Sequence, residues 1–237
     1  MSAWRVPSLI IAALLASGPL AAHFEILSPL RGFEIFGVGV VLALLSAIAL
    51  GGAAAYAALY GRAWRRAAVR AALLPIGVVV VVLGLQAQGG GGPFNDVTTD
   101  LEDPPVFHAG PAAGIGYPED FVAMQRKQYP DLGPRHLSAS VEASWTRALE
   151  AARAMPRWQI TSADPDAGQI EAVATTRVFR FRDDIAVRLR PEQAPPGAVS
   201  EGSDTRIDIR SRSRDGRGDL GANAARIRRY LAALGGV

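Results

Sequence analysis

From Thr205 to Arg214 the chain alternates in type: Arg206, Asp208, Arg210, Arg212 and Arg214 take every second position, with Ile207, Ile209, Ser211 and Ser213 between them. Alternate residues of an extended strand face the same way, so this run would display four guanidinium groups about 6 to 7 Å apart. Guanidinium forks recognise phosphates and carboxylates through paired hydrogen bonds. Arg210, Arg212 and Arg214 are therefore candidate binding residues for a lipid headgroup, a sugar acid or phosphate. The opposing reading pairs them with Asp208, Asp183, Asp184 and neighbouring acids on a solvated sheet face. Asp183 and Asp184 are candidates too, since two carboxylates can act as acid and base in a hydrolase or hold a cation. Adjacent strand residues point to opposite faces, however, and Arg182-Asp183-Asp184 reads better as a hairpin turn with arginine partners.

Directly after the arginines, Gly216, Gly218 and Gly221 spell G-x-G-x-x-G between a strand-like and a helix-like run. A dinucleotide site needs a following parallel strand and an acidic residue about 20 positions on, and the chain has neither. Asp219 stands where a helix N-cap is expected, and its carboxylate would occupy the backbone N–H groups an anion needs. The glycines thus read as turn geometry, and no cofactor is expected. His23, His108 and His136 show no metal-ligand spacing, and no nucleophile elbow is present. The chain contains no cysteine, which excludes disulfides, thiolate catalysis and zinc–thiolate sites.

The elements that must position these residues follow from periodicity and punctuation. A helix begins at Ser138 or Ser140, buries Val141, Trp145, Ala148, Leu149 and Ala152, and ends before Pro156. Strand-like runs occupy Trp158–Thr161, Gln169–Phe181, Ile185–Arg190 and Thr205–Ser213, joined by the turn Asp164–Gly168, by Arg182–Asp184 and by a Pro-rich connection from Pro191 to Gly202. A closing helix runs from Asp219 to Leu234. The order α-β-β-β-β-α implies an α+β domain with an antiparallel four-stranded sheet and helices packed on one face. Val106 to Pro134 reads as irregular chain with one helical turn near Phe121 to Lys127.

The sequence has 237 residues, is 49% hydrophobic and has a pI of about 9.7. Its basicity is local. Residues 1–92 carry six arginines against two glutamates, a net +4, whereas residues 93–237 carry 19 bases against 20 acids, a net −1. A nucleic-acid footprint requires a basic folded domain, so nucleic acid is excluded as a partner. The apolar excess lies in three runs, with spans expected near 6–26, 35–60 and 71–88. The first could instead be a signal peptide, although Leu20 at the −3 position argues against cleavage after Ala22. In the second, Ala43, Ala47, Gly51 and Ala55 place small residues on one face for helix approach. Arg62, Arg65, Arg66 and Arg70, with no acid among them, put the loop between the second and third spans in the cytoplasm and everything after Gln88 outside. Gln88 to Pro93, with its consecutive glycines, reads as a flexible linker. The organisation is then 1–92 membrane region, 93–137 irregular linker leading into the domain, and 138–237 extracytoplasmic α+β domain.

Arg210-Ser211-x-Ser213-Arg214-x-Gly216-x-x-Asp219-x-Gly221-x-Asn223-x-x-Arg226-Ile227, preceded by Phe181-x-Asp183-Asp184, resembles the signature of the domain of unknown function 1499 (DUF1499) family. The resemblance spans about Phe94 to the C-terminus. It implies a bacterial or plastid setting, here a membrane-anchored bacterial subgroup, and brings no activity or catalytic residue with it. Many members begin the domain with a cysteine-containing Pro-Asn motif, where this chain has Asn95-Asp96-Val97-Thr98-Thr99-Asp100. The expectation is a multi-pass inner-membrane protein with a periplasmic, non-catalytic binding or envelope-structure module. Its partners would be the lipid bilayer and an anionic ligand or envelope protein. The alternatives are an envelope hydrolase using Asp183 and Asp184, and a membrane-assembly protein acting through its spanning helices.

Overall fold

The computed structural model describes residues 6–87, 92–192 and 204–235. The glycine linker from Gln88 and most of the Pro-rich connection from Pro191 to Gly202 lie outside the described residues. The chain forms two compact units, Met1–Gly90 with Arg177–Arg180, and Gly91–Thr176 with Phe181–Val237.

The first unit contains helices α1 (Val6–His23), α2 (Pro29–Leu59) and α3 (Arg65–Ala87), each long and apolar enough to cross a membrane. Ser28 starts α2 by accepting a hydrogen bond from the Arg31 amide at 3.4 Å, with Pro29 at the first helical position. α3 begins six residues before the expected apolar run. Arginine and alanine are strong helix formers, so the helix extends through Arg65, Arg66 and Arg70. Helices α1 and α2 meet where side chains are smallest: a Cβ on Gly18 would sit 2.4 Å from the Gly32 carbonyl oxygen. The buried face of α2 is Gly32, Gly39, Ala43, Leu50 and Ala57. Of the predicted small-residue stripe only Ala43 is fully buried; Ala55 is exposed and Gly51 has open space at its Cβ position. The true contact repeats at the 3.5-residue period of packed helices, not at every fourth residue.

The second unit is mixed helix and sheet, as expected, but its sheet has six strands and not four. These are β1 (Asp96–Thr98), β2 (Arg135–Leu137), β3 (Trp158–Asp164), β4 (Gln169–Thr175), β5 (Arg182–Pro191) and β6 (Thr205–Ser213), all antiparallel, in the order β1-β6-β5-β4-β3. The two additional strands share one edge of β6: β2 pairs with Thr205–Ile207 and β1 with Arg210–Arg212. Between them Thr99 exchanges hydrogen bonds with Ile209 at 2.9 Å, so the edge is satisfied along its length. At three residues apiece, neither strand shows the alternation that marks longer ones. Helix α4 (Glu119–Gln128) replaces the single expected turn, and its Gln125 covers the outer side of β1, accepting from the Thr98 amide at 2.9 Å and donating to the Thr98 carbonyl at 2.6 Å.

Helices α5 (Val141–Ala154) and α6 (Ala222–Ala233) cover one face of the sheet. Ser140 caps α5, accepting from the Ala143 amide. Ile170, Ile185, Val187, Ile207 and Ile209 pack there against Ala148, Ala152, Ile227 and Leu234, all essentially without solvent exposure. Each such isoleucine contributes about 1.5–3 kcal/mol relative to exposure. The Tyr230 ring stacks on Trp158, and its hydroxyl donates to the Ala148 carbonyl.

Candidate functional site

Because β6 alternates, its isoleucines and serines enter the helix-covered core while Arg206, Asp208, Arg210, Arg212 and Arg214 project from the opposite face. That face is not solvated. Residues 99–117 run across it, placing Phe107 and Ala112 against Ala186 of β5. Glu171 of β4 accepts from the backbone amides of His108 and Ala109, and Gln169 donates to the Val106 carbonyl, so this strap is stitched to the sheet.

Arg210 is 1% exposed. Its guanidinium makes a bidentate bond to Asp96 of β1 at 3.0 and 2.7 Å, donates to the carbonyls of Pro105, Ile115 and Gly116, and lies 4.8 Å from the Phe107 ring centroid and 5.5 Å from that of Tyr117. A guanidinium removed from water requires this degree of satisfaction. Burial pushes the Asp96 carboxyl above its ordinary range, against the opposing pull of Arg210, and burial followed by the Asp96 charge pushes the Tyr117 hydroxyl up. Arg214 closes a second bidentate pair with Asp184, three contacts of 2.6 to 3.1 Å, and the hydrogen bond to Asp184 raises its own pKa. Toward the other end of the face Arg188, Arg190 and Arg206 converge on Asp100, Asp103 and Asp208. Burial would raise the Asp100 carboxyl, but the amides of Asp103 and Glu102 and the charges of Arg206 and Arg190 outweigh it and hold it low.

Arg212 differs from the rest. Among the described residues its one ion pair is to Asp96 at 3.7 Å, beyond hydrogen-bonding range, and its side chain is 24% exposed.

Asp183 and Asp184 are strand residues and not a hairpin turn: they pair with Ala174 and Val173 of β4, and the connection lies earlier, closed by the Thr176 amide donating to the Phe181 carbonyl. Pleating sends them to opposite faces. Asp184 meets Arg214 on the strap side, while Asp183 is bound by Arg226 of α6 on the core side. They do not converge on a common atom. A cavity of about 50 Å³ beside Asp184 and Arg214 is lined also by Glu171 and Thr161; it has room for a water or two and not for an organic substrate.

On the core side the remaining polar residues form one lock. Asn223 accepts from Ser211 and donates to the Asn95 carbonyl and to Ser213, while Arg226 joins Ser211 and Asn223 to Asp183. α6 starts three residues later than expected, and its N-cap is Gly221, in the left-handed conformation at φ +82°, and not Asp219; the Asp219 carboxylate, two residues before it, still accepts from the amides of Gly221 and Asn223. Burial raises the Asp219 carboxyl despite these two donors. Among the described residues no cluster of three or more histidine, aspartate or glutamate side chains is arranged to hold a metal ion.

Residues 96–234, more than half of the chain, match the family described as "protein of unknown function (DUF1499)". The chain belongs to the DUF1499 family. No curated protein and no solved structure matches it. The match begins at Asp96, the partner of Arg210, so the DUF1499 domain takes in β1 and the strap as well as the later strands. Of the residues that carry the resemblance, the polar ones, Asp183, Asp184, Arg210, Ser211, Ser213, Arg214, Asp219, Asn223 and Arg226, all make internal polar bonds in this DUF1499 domain. Sequence reasoning missed Asp96, Asp100, Asp103 and Arg226 as their partners. The available signal was the acidic run Asp96, Asp100, Glu102 and Asp103, which contains no base and complements the arginine strand.

Proposed function

We propose that this membrane protein is a non-catalytic binding module of the cell envelope, in which the DUF1499 domain recognises an anionic group of a ligand or partner protein through Arg212. The observation that carries this reading is the contrast along β6. Arg206, Arg210 and Arg214 hold carboxylates at hydrogen-bonding distance, whereas Arg212, with a side chain about as exposed as those of Arg206 and Arg214, has among the described residues one long ion pair and no carboxylate at hydrogen-bonding distance. A guanidinium with spare donors on a partly exposed side chain beside a strand is suited to a carboxylate or phosphate. Asp183 and Asp184, the acids a hydrolase would need, are each engaged by an arginine on opposite faces. The basic turn between α2 and α3 supports a cytoplasmic position for that turn and a periplasmic one for the DUF1499 domain of an inner-membrane protein.

Titration of the detergent-solubilised full chain with glucuronate and inorganic phosphate tests the site. Saturable heat that disappears in Arg212→Gln, with thermal unfolding unchanged, is expected; equal heats in both proteins overturn the assignment. Alkaline phosphatase fused after Leu234 should be active, and an inactive, stably expressed fusion rules out the orientation.

A further inference from the structure

The turn joining α2 to α3 contains an open cavity of about 670 Å³ whose walls include Arg62, Arg65, Arg66 and Arg70 together with Ala58 and Val69. This volume is that of a small-ligand site. All four arginines are exposed, and none makes an ion pair among the described residues. Their placement is costly without a counter-ion. Arg66 and Arg70 are like charges four residues apart on one helix, which repel, and Arg65 and Arg66 occupy the first turn of α3, where the helix dipole disfavours cations and no acidic residue offsets them.

The same turn carries the side chains that mark a membrane–water boundary. Tyr56 and Tyr60 lie with ring centroids 4.6 Å apart at the end of α2, Trp64 follows them half-buried, and Val69 and Leu73 stand exposed on the helix that continues into the apolar span. Tyrosine and tryptophan settle at headgroup depth. The recess therefore combines cations at the level of lipid phosphates with apolar surface beneath them for acyl chains.

We propose that this recess binds the phosphate of an anionic phospholipid, with Arg62 and Arg66 at the headgroup and the surface around Val69 against the acyl chains. Basic pockets at helix ends hold acidic headgroups in this manner. The site lies in the first unit and is independent of the reading of Arg212.

The test uses the full chain in phosphatidylcholine nanodiscs containing graded phosphatidylglycerol, with native mass spectrometry counting retained lipid. Wild type should retain phosphatidylglycerol over phosphatidylcholine, and Arg62→Gln/Arg66→Gln should lower that retention by about tenfold or more. Arg62→Lys/Arg66→Lys, which keeps the charge, should recover most of it and serves as the check on folding. Inorganic phosphate at matched concentration should not displace the lipid. Unchanged retention in the glutamine variant overturns the proposal, as does displacement by inorganic phosphate, which would identify a free-phosphate site. Arg212→Gln should leave lipid retention as in wild type, which separates this site from the one on β6.

Discussion

The strap-covered face of the DUF1499 sheet and the turn between α2 and α3 are both built on arginine, and they treat its charge in opposite ways. On the sheet Arg188, Arg190, Arg206, Arg210, Arg212 and Arg214 meet Asp96, Asp100, Asp103, Asp184 and Asp208, carboxylates of the same unit. At the turn Arg62, Arg65, Arg66 and Arg70 meet none among the described residues. Arginine density alone therefore says little about function. What separates an architectural arginine from a recognising one is whether the fold supplies its counter-ion, and that is a property of partners distant in sequence. Arg212 stands between the two cases.

The sharpest way to break this comparison is Asp96→Ala, which leaves a buried guanidinium unpaired. The expected loss is about 3–5 kcal/mol, read by urea unfolding of the detergent-solubilised full chain with pulse proteolysis of the DUF1499 domain. A loss below about 1 kcal/mol would show that Arg210 is not held as an internal ion. Asp184→Asn should cost less, about 1.5–3 kcal/mol, because it weakens a charge-assisted pair at a partly exposed arginine. The same protein should fold cooperatively, and its stability should not recover with added divalent cation.

Asp100→Asn offers a pH signature. The folded state holds this carboxyl below its ordinary value of 3.8, so its contribution is present above that value and is lost as pH falls through the lower folded value. The stability difference between wild type and Asp100→Asn should be level near neutrality and vanish in strong acid. Asp96 and Asp219, whose carboxyls are raised, carry the opposite sign, so the difference and not the raw curve isolates Asp100. The smallest effect belongs to the turn. Replacing Arg62, Arg65, Arg66 and Arg70 by glutamine should change stability in zwitterionic detergent by no more than about 0.5 kcal/mol each, since no internal bond is lost. A large loss there would mean that the turn, like the sheet, uses arginine to hold itself together.

Much of this was legible in the chain. The three apolar helices, a serine cap for α5 at Ser138 or Ser140, the alternation of β6 and the existence of the closing helix each rest on local rules of periodicity and capping, whereas the N-cap of that last helix fell two residues later than Asp219, at Gly221. Asp183 and Asp184 misled as a turn because aspartate is depleted in strands; only the register against Val173 and Ala174, reinforced by Arg226 and Arg214, holds them extended. β1 and β2 were invisible because three residues cannot show a period, and their strand character is imposed by the free edge of β6. The buried state of the arginine face was hidden for a related reason. The chain that covers it, residues 99–117, has no regular structure beyond a single 3-10 turn at Gly110–Ala112, and its ties from Val106 to Ala109 are side chain to backbone while those of Asp100 and Asp103 are ion pairs to distant arginines.

Strand β6 pairs with the first, second and fifth strands of its sheet, and Arg210 bonds Asp96 across 114 positions of sequence. Contacts of such separation must wait for chain closure, which slows folding. During synthesis the sheet cannot be completed until Thr205–Ser213 has emerged, so β1, β2 and the charged strap stay unsheltered until that strand has been made. A ribosome stalled before Thr205 should therefore display a DUF1499 domain open to protease throughout residues 96–137, and one stalled with β6 and α6 fully emerged should not.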